Sequence, residues 1–224
     1  MHLRSTVFTL MRTPTPDELA LALSAHARRD MPALPGRSNH LLTGVLVPLV
    51  WEPEPVCIAT VRAFHLREHA GEVCFPGGRP DPTDEDLAQT AMREAAEELG
   101  IAGARILGEL SSIPLYTSEY RLRPFVGAIA STSFVVNPVE VAAVLRMPIA
   151  SWLSAPFIDA IPWEHEGEAH LSPVFEMEGG IMFGATAHVF HELLGIMAPL
   201  CESALPPMRA GRHTWEGVLG IHEE

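Results

Sequence analysis

Arg93-Glu94-Ala95-Ala96-Glu97-Glu98-Leu99-Gly100-Ile101 is the stretch from which the rest of the chain can be read. Upstream of it, Leu87, Ala91, Ala95 and Leu99 recur every fourth residue, the repeat of one apolar helix face. Gly100 stands where a helix end favours a residue free to turn left-handed. Glu94 and Glu98 are four apart and Glu94 and Glu97 three apart, so all three project from one surface. Carboxylates crowded there repel each other. Arg93, four residues before Glu97, neutralises one, and Glu94 with Glu98 remains as a hard-oxygen pair suited to Mg²⁺ or Mn²⁺. The bland alternative is a solvated acidic face. The glycine-rich break Pro76-Gly77-Gly78 just before the helix favours the metal reading.

Outward from this helix the chain alternates short strands and a few helices. Thr15-Pro16-Asp17-Glu18 has the N-cap, first-position proline and capping-box glutamate of a helix start, predicting a helix to about Arg29. Residues 30–41 look like a linker. Residues 44–51 and 56–61 are β-branched runs around a Glu-Pro-Glu-Pro turn, which suggests a hairpin, and residues 71–75 suggest a further short strand. Asp81-Pro82-Thr83-Asp84 makes a turn. Residues 105–110 and 123–130 read as strands, Asn137-Pro138-Val139-Glu140 as a helical turn or short helix, 155–183 as short strands with loops, and 186–194 as a closing helix. The expected class is α/β (α+β), a sandwich of helices around a mixed sheet. The expected division is a helix and linker at 1–38, a main domain at 39–200 and a tail at 201–224, partly ordered at best.

The 224 residues, 47% hydrophobic, suffice for one sizeable core. Residues 1–14 lack a long apolar stretch and a cleavage site, so no signal peptide is expected, and no apolar run approaches a membrane span. Cys57, Cys74 and Cys201 are an odd count in apolar settings and read as reduced core thiols of a cytoplasmic protein. A net charge of −13 argues against nucleic-acid binding. All 15 cationic residues are arginine. The absence of lysine excludes a Walker-type phosphate loop and Schiff-base chemistry. Phosphates must therefore be held by arginine, histidine, backbone N–H groups and metal.

The run from Arg93 to Ile101 resembles the Nudix hydrolase motif, in which a glycine, five residues, a glutamate and seven residues precede Arg-Glu-aliphatic-x-Glu-Glu-x-Gly-aliphatic. Glu85 lies at the required distance before Arg93, but the glycine is offset by one, with Arg79 at its place and Gly78 just before. Either the loop carries an extra residue or Glu85 is not the equivalent acid. Further upstream, His65-Leu66-Arg67-Glu68-His69-Ala70-Gly71-Glu72-Val73-Cys74-Phe75-Pro76-Gly77-Gly78 resembles the signature of the coenzyme A pyrophosphatase branch, which also carries an extra loop residue. Arg62 matches a basic position of that branch, whereas Val61 and Ala63 replace a basic residue and a serine. The resemblance spans roughly residues 40–198. It implies a Nudix-type α/β/α sandwich and metal-dependent cleavage of a diphosphate, with coenzyme A or an acyl-coenzyme A giving 3′,5′-ADP and (acyl-)4′-phosphopantetheine. The partner expected is a small nucleotide, with neither nucleic acid nor membrane, and a homodimer is compatible with this.

Within that frame Glu94 and Glu98 are the expected metal ligands. Glu97, oriented by Arg93, either ligates or holds a water of the metal. The general base comes from the helix glutamates or Glu140, with Glu119 as rival. Gly77 and Gly78 allow close backbone approach, and Arg62, Arg67 and His69 are expected on the substrate phosphates. For His65 and His69 a structural role is equally open. Arg121 and Arg123 read as solvent-facing charges, and His188, His191 and Glu192 as a weak metal-like cluster. The competing functions are hydrolysis of another nucleoside diphosphate derivative, such as ADP-ribose or a dinucleoside polyphosphate, and ligand sensing without catalysis. The latter predicts eroded helix carboxylates, and these are intact.

Overall fold

The apolar run in the middle of the first hairpin becomes the spine of the molecule. The structure, a computed structural model, describes residues 11–130, 133–165 and 167–220. Residues 1–10, on which the expectation about a leader partly rests, lie outside the described residues, as do residues 221–224 of the tail. In chain order come α1 (Pro16–Ala25), β1 (Leu41–Trp51), β2 (Pro55–Arg62), β3 (Val73–Cys74), β4 (Gly77–Gly78), α2 (Leu87–Leu99), β5 (Arg105–Glu109), β6 (Ile113–Pro114), β7 (Tyr120–Ala128), β8 (Val141–Pro148), α3 (Ile149–Leu153), β9 (Ile158–His165), β10 (Glu168–Met177), β11 (Gly180–Met182), α4 (Gly184–Leu200), β12 (Met208–Ala210) and α5 (Trp215–Leu219).

The main sheet is mixed. Its path runs β3-β2-β1-β7-β5, with β4 paired to β1, β6 to β7 and β8 to β2. β1 and β7 are parallel from Leu41↔Tyr120 to Leu49↔Ala128, and the other pairs in this sheet are antiparallel. β1 is buried on both faces, which explains why its sequence is nearly continuously apolar rather than alternating. Leu46 and Val50 pack with Ala91, Ala95 and Leu99 of α2. Val45, Val47 and Leu49 pack on the other side with Phe190, Leu193 and Leu194 of α4 and with Leu19 and Leu23 of α1. The result is helix, sheet, helix in three layers, as the sequence led us to expect.

A second sheet, β11-β10-β9-β12, packs through β10 against α4. Trp152, Phe175 and Phe190 close that core edge-to-face, with centroids 4.9–6.2 Å apart. Residues 155–183 are therefore two long strands and a short one, not a series of short pieces. The segment 137–140 is the helical turn among the expected alternatives, with the Glu140 and Val141 N–H groups donating to the Asn137 carbonyl at 3.1 and 2.9 Å, and it leads into β8, a strand the sequence reading missed because Ala142, Ala143 and Arg146 leave its alternation weak. The tail contributes β12, parallel to β9, and α5. α1 starts on its capping box at Thr15 and Glu18 but ends at Ala25, earlier than expected. It packs on β5 and α4, on the sheet face opposite α2. Among the described residues no helix is long and apolar enough to cross a membrane.

Candidate active site

α2 is bound to the sheet by small residues. Ala91 and Ala95 are fully buried, and Gly44 of β1 lies beneath the first turns of the helix, where a Cβ would come within 2.2 Å of the Leu87 carbonyl oxygen. The Asp86 side chain caps the helix start by accepting from the Gln89 N–H, and Gly100 ends it at φ 68°. This seating turns Glu94 and Glu98 toward the glycine turn. Gly77 donates its N–H to Glu98 Oε1 at 3.2 Å. A Cβ on Gly78 would sit 2.4 Å from Glu94 Oε1, so only glycine leaves space for that carboxylate.

Glu140 joins them from outside the helix. Carboxylate oxygens of Glu94, Glu98 and Glu140 lie within 4.8 Å of one another. The connection from β7 to β8 brings it there by docking on the end of α2: Val135 N–H donates to Leu99 O at 2.9 Å, Asn137 N–H to Glu98 O at 2.9 Å, and Asn137 Nδ2 to Glu140 Oε1 at 3.2 Å. On the far side the Glu140 carbonyl accepts from Ala63 N–H at 2.8 Å, tying the cluster to the end of β2. Burial pushes the Glu98 carboxyl up to about 7, with Glu140 and Glu94 adding repulsion and the Gly77 N–H opposing it. Burial also raises Glu94. Three acids held this close, one of them deeply buried, form a donor set of hard oxygens that a divalent cation satisfies.

The other candidates fall in several places. Glu97 is exposed and paired with Arg93 at 3.2 Å, apart from the three-carboxylate cluster. Arg62 lies on the α2 face of β2, and its buried Nε has no hydrogen-bond partner. Val61, by contrast, points into the opposite core with Val73, so the site is built without that side chain. His69 sits in the left-handed region at φ 58°. It bonds Glu72 at 2.9 Å, which raises its pKa despite partial burial. Arg67 and His65 are exposed. Glu119, the rival base, is engaged elsewhere, accepting from the Ser38 and Asn39 N–H groups at 2.9 and 3.0 Å. Arg121 bonds the Met31 and Asn39 carbonyls, and Arg123 pairs with Glu109. Both are structural ties rather than free charges. His188 bonds Ser172, and Glu192 accepts from Ser111 and from His26, so those residues hold the core together.

Comparison with known proteins decides the family. The NUDIX domain profile matches residues 40–155. The chain belongs to the Nudix family. It is 39% identical over 153 residues to the "Uncharacterized Nudix hydrolase NudL" of Yersinia pestis (strain Pestoides F), covering 66% of this chain and 76% of that protein. The NudL of Yersinia pseudotuberculosis serotype O:1b (strain IP 31758) matches to the same extent. Among solved structures, the NUDIX domain of Shewanella oneidensis NrtR, complexed with ADP ribose, overlaps 59% of this chain and 81% of its own, with 19% identity and a TM-score of 0.41.

Within the Nudix motif the structure resolves the offset glycine. Arg93 is bonded not by Glu85 but by Asp84, at 3.1 Å from Nε to Oδ1, and Asp84 also accepts from Thr90 Oγ1 at 2.8 Å. The Arg93 hydrogen bonds hold the Asp84 carboxyl down at about 2. Glu85 is exposed, its N–H turned to the Gln89 side chain. Counting six residues forward from Gly78 lands on Asp84, a signal available in the sequence. Counting back from Arg93 obscured it, because the extra residue lies between the acid and the arginine.

Proposed function

We propose that this Nudix hydrolase cleaves the diphosphate of coenzyme A or its acyl thioesters, yielding 3′,5′-ADP and (acyl-)4′-phosphopantetheine. The observation that carries the hydrolytic part is the Glu94–Glu98–Glu140 cluster pressed against Gly77 and Gly78. The substrate part is supported by the 65–78 run, which carries Arg67 and His69 and leads directly into the glycine turn at Gly77 and Gly78, and by Arg62 at the end of β2.

The three carboxylates and the glycine cradle fit Mg²⁺ or Mn²⁺, held by Glu94 and Glu98. Such an ion supplies charge neutralisation on the phosphate oxygens and a more acidic water. Arg93, fixed by Asp84, keeps Glu97 and Glu94 in register on the helix. Glu140 is the carboxylate we assign to take the proton of the attacking water as the phosphorus–oxygen bond of the leaving phosphate breaks. Arg62, Arg67 and His69 bind substrate phosphate oxygens, the arginines through the planar fork that suits phosphate.

Purified protein with Mg²⁺ should release 3′,5′-ADP from coenzyme A, read by chromatography. No turnover of coenzyme A beside robust hydrolysis of ADP-ribose or a dinucleoside polyphosphate would overturn the substrate assignment.

The raised Glu98 carboxyl predicts a pH dependence. Its folded value, about 7 against an ordinary 4.5, means the folded chain holds the proton more tightly than the unfolded one. This group therefore weakens the metal-free fold as pH rises through that window. Metal binding needs the ionised form and must displace the proton below pH 7. Apparent Mn²⁺ affinity, followed by calorimetry, should fall about tenfold per pH unit below about 7, where each binding event releases one proton. A flat affinity between pH 5.5 and 7.5 would remove Glu98 from the ligand set.

A further inference from the structure

Next to the carboxylate cluster the structure holds a cation–aromatic pair with no role in the chemistry above. Arg79 directly follows Gly78, so its Cα lies about 3.8 Å from that of the residue abutting Glu94. Its guanidinium carbon lies over the Tyr120 ring, 4.7 Å from the centroid, within cation–π range. Both backbones are anchored. The Arg79 carbonyl accepts from Arg93 at 3.0 Å. Tyr120 opens β7 in register with Leu41, and its carbonyl accepts from Leu115 N–H at 2.9 Å and Asn39 Nδ2 at 3.2 Å. Arg79 is exposed, Tyr120 half-buried, and among the described residues no carboxylate neutralises the arginine. In a chain of net charge −13, an uncompensated cation held over an aromatic ring is a surface suited to an anionic ligand with a planar group.

We propose that Arg79 and Tyr120 form the nucleobase platform of this site, receiving the adenine ring of the substrate nucleotide while the diphosphate lies at the glycine turn. This rests on the nucleotide reading above. The spacing suits it: the base of a nucleoside diphosphate is one ribose away from the phosphates, and the stack begins one residue beyond Gly78. Stacking on an aromatic face tolerates any base, so the platform contributes affinity, and the phosphate-binding residues contribute the choice of coenzyme.

Calorimetry on the full chain with Mg²⁺ tests this, using 3′,5′-ADP and inorganic pyrophosphate as probes. Tyr120→Ala should weaken 3′,5′-ADP about tenfold, toward the low end for loss of a base stack, and leave pyrophosphate unchanged. Tyr120→Phe should restore the affinity. The exposed Arg79→Gln should also weaken 3′,5′-ADP without disturbing β7. In turnover, Tyr120→Ala should raise KM for coenzyme A and leave kcat unchanged. The platform is overturned if Tyr120→Ala weakens both probes alike or neither, or if the wild type binds 3′,5′-ADP no tighter than pyrophosphate. A wild type that binds 3′,5′-ADP through Tyr120 but leaves coenzyme A intact would overturn the coenzyme A assignment and keep the platform.

Discussion

Glu98→Gln is expected to reduce diphosphate hydrolysis by more than about 100-fold while leaving the protein folded. Residues that merely orient metal ligands already cost about 10–100-fold when lost, and Glu98 is the most deeply buried of the three clustered acids. Glutamine keeps the shape and an oxygen to accept the Gly77 N–H, so the glycine turn has no reason to shift. It removes a buried charge that Glu94 and Glu140 repel. The metal-free melting temperature at pH 8 should therefore hold or rise, and the increase in melting temperature on adding Mn²⁺ should vanish. Wild-type turnover in this variant would place the metal elsewhere.

Gly44→Ala is expected to damage the same chemistry from beneath the helix. Its Cβ would meet the Leu87 carbonyl oxygen at 2.2 Å and the Ala91 nitrogen at 3.1 Å, both helix backbone. β1 cannot retreat, since β4 and β7 flank it. α2 must lift by roughly 1 Å, a displacement that can cost about 100-fold in rate when it misplaces reacting groups. Overpacking of this kind costs about 1–3 kcal/mol. Melting temperature and kcat/KM should both fall. Gly195→Ala in α4, where the nearest heavy atom to the added Cβ is 3.7 Å away, should change neither much. Full activity in Gly44→Ala would mean that α2 need not sit this close to β1.

The parts of the fold legible in the sequence were those written in local periodicity. Ala91, Ala95 and Leu99 are buried on α2, Gly100 is left-handed, and Thr15 with Glu18 caps α1. The β1–β2 hairpin lies where its β-branched runs placed it. Where patterning was weak, the sequence reading missed. β8 alternates imperfectly through Ala142, Ala143 and Arg146, and the long β9–β10 pair carries prolines at 162 and 173, which lack the N–H of a strand residue and weaken its local signal.

The candidate site divides along the same line. The sequence by itself determined that Glu94, Glu97 and Glu98 share one helix surface beside Arg93, because three- and four-residue spacing is a property of a single helical turn. Only the tertiary structure decided which of them meet a third carboxylate. Glu94 and Glu98 face Glu140, and Glu97 turns to Arg93. It also decided that Asp84 rather than Glu85 holds that arginine, that Gly44 admits the helix, and that Arg79 lies on Tyr120. Each of these depends on hydrogen bonds or contacts between elements far apart in the chain. Which side chains meet there is set by how strands and loops pack, and spacing along the chain carries no record of it.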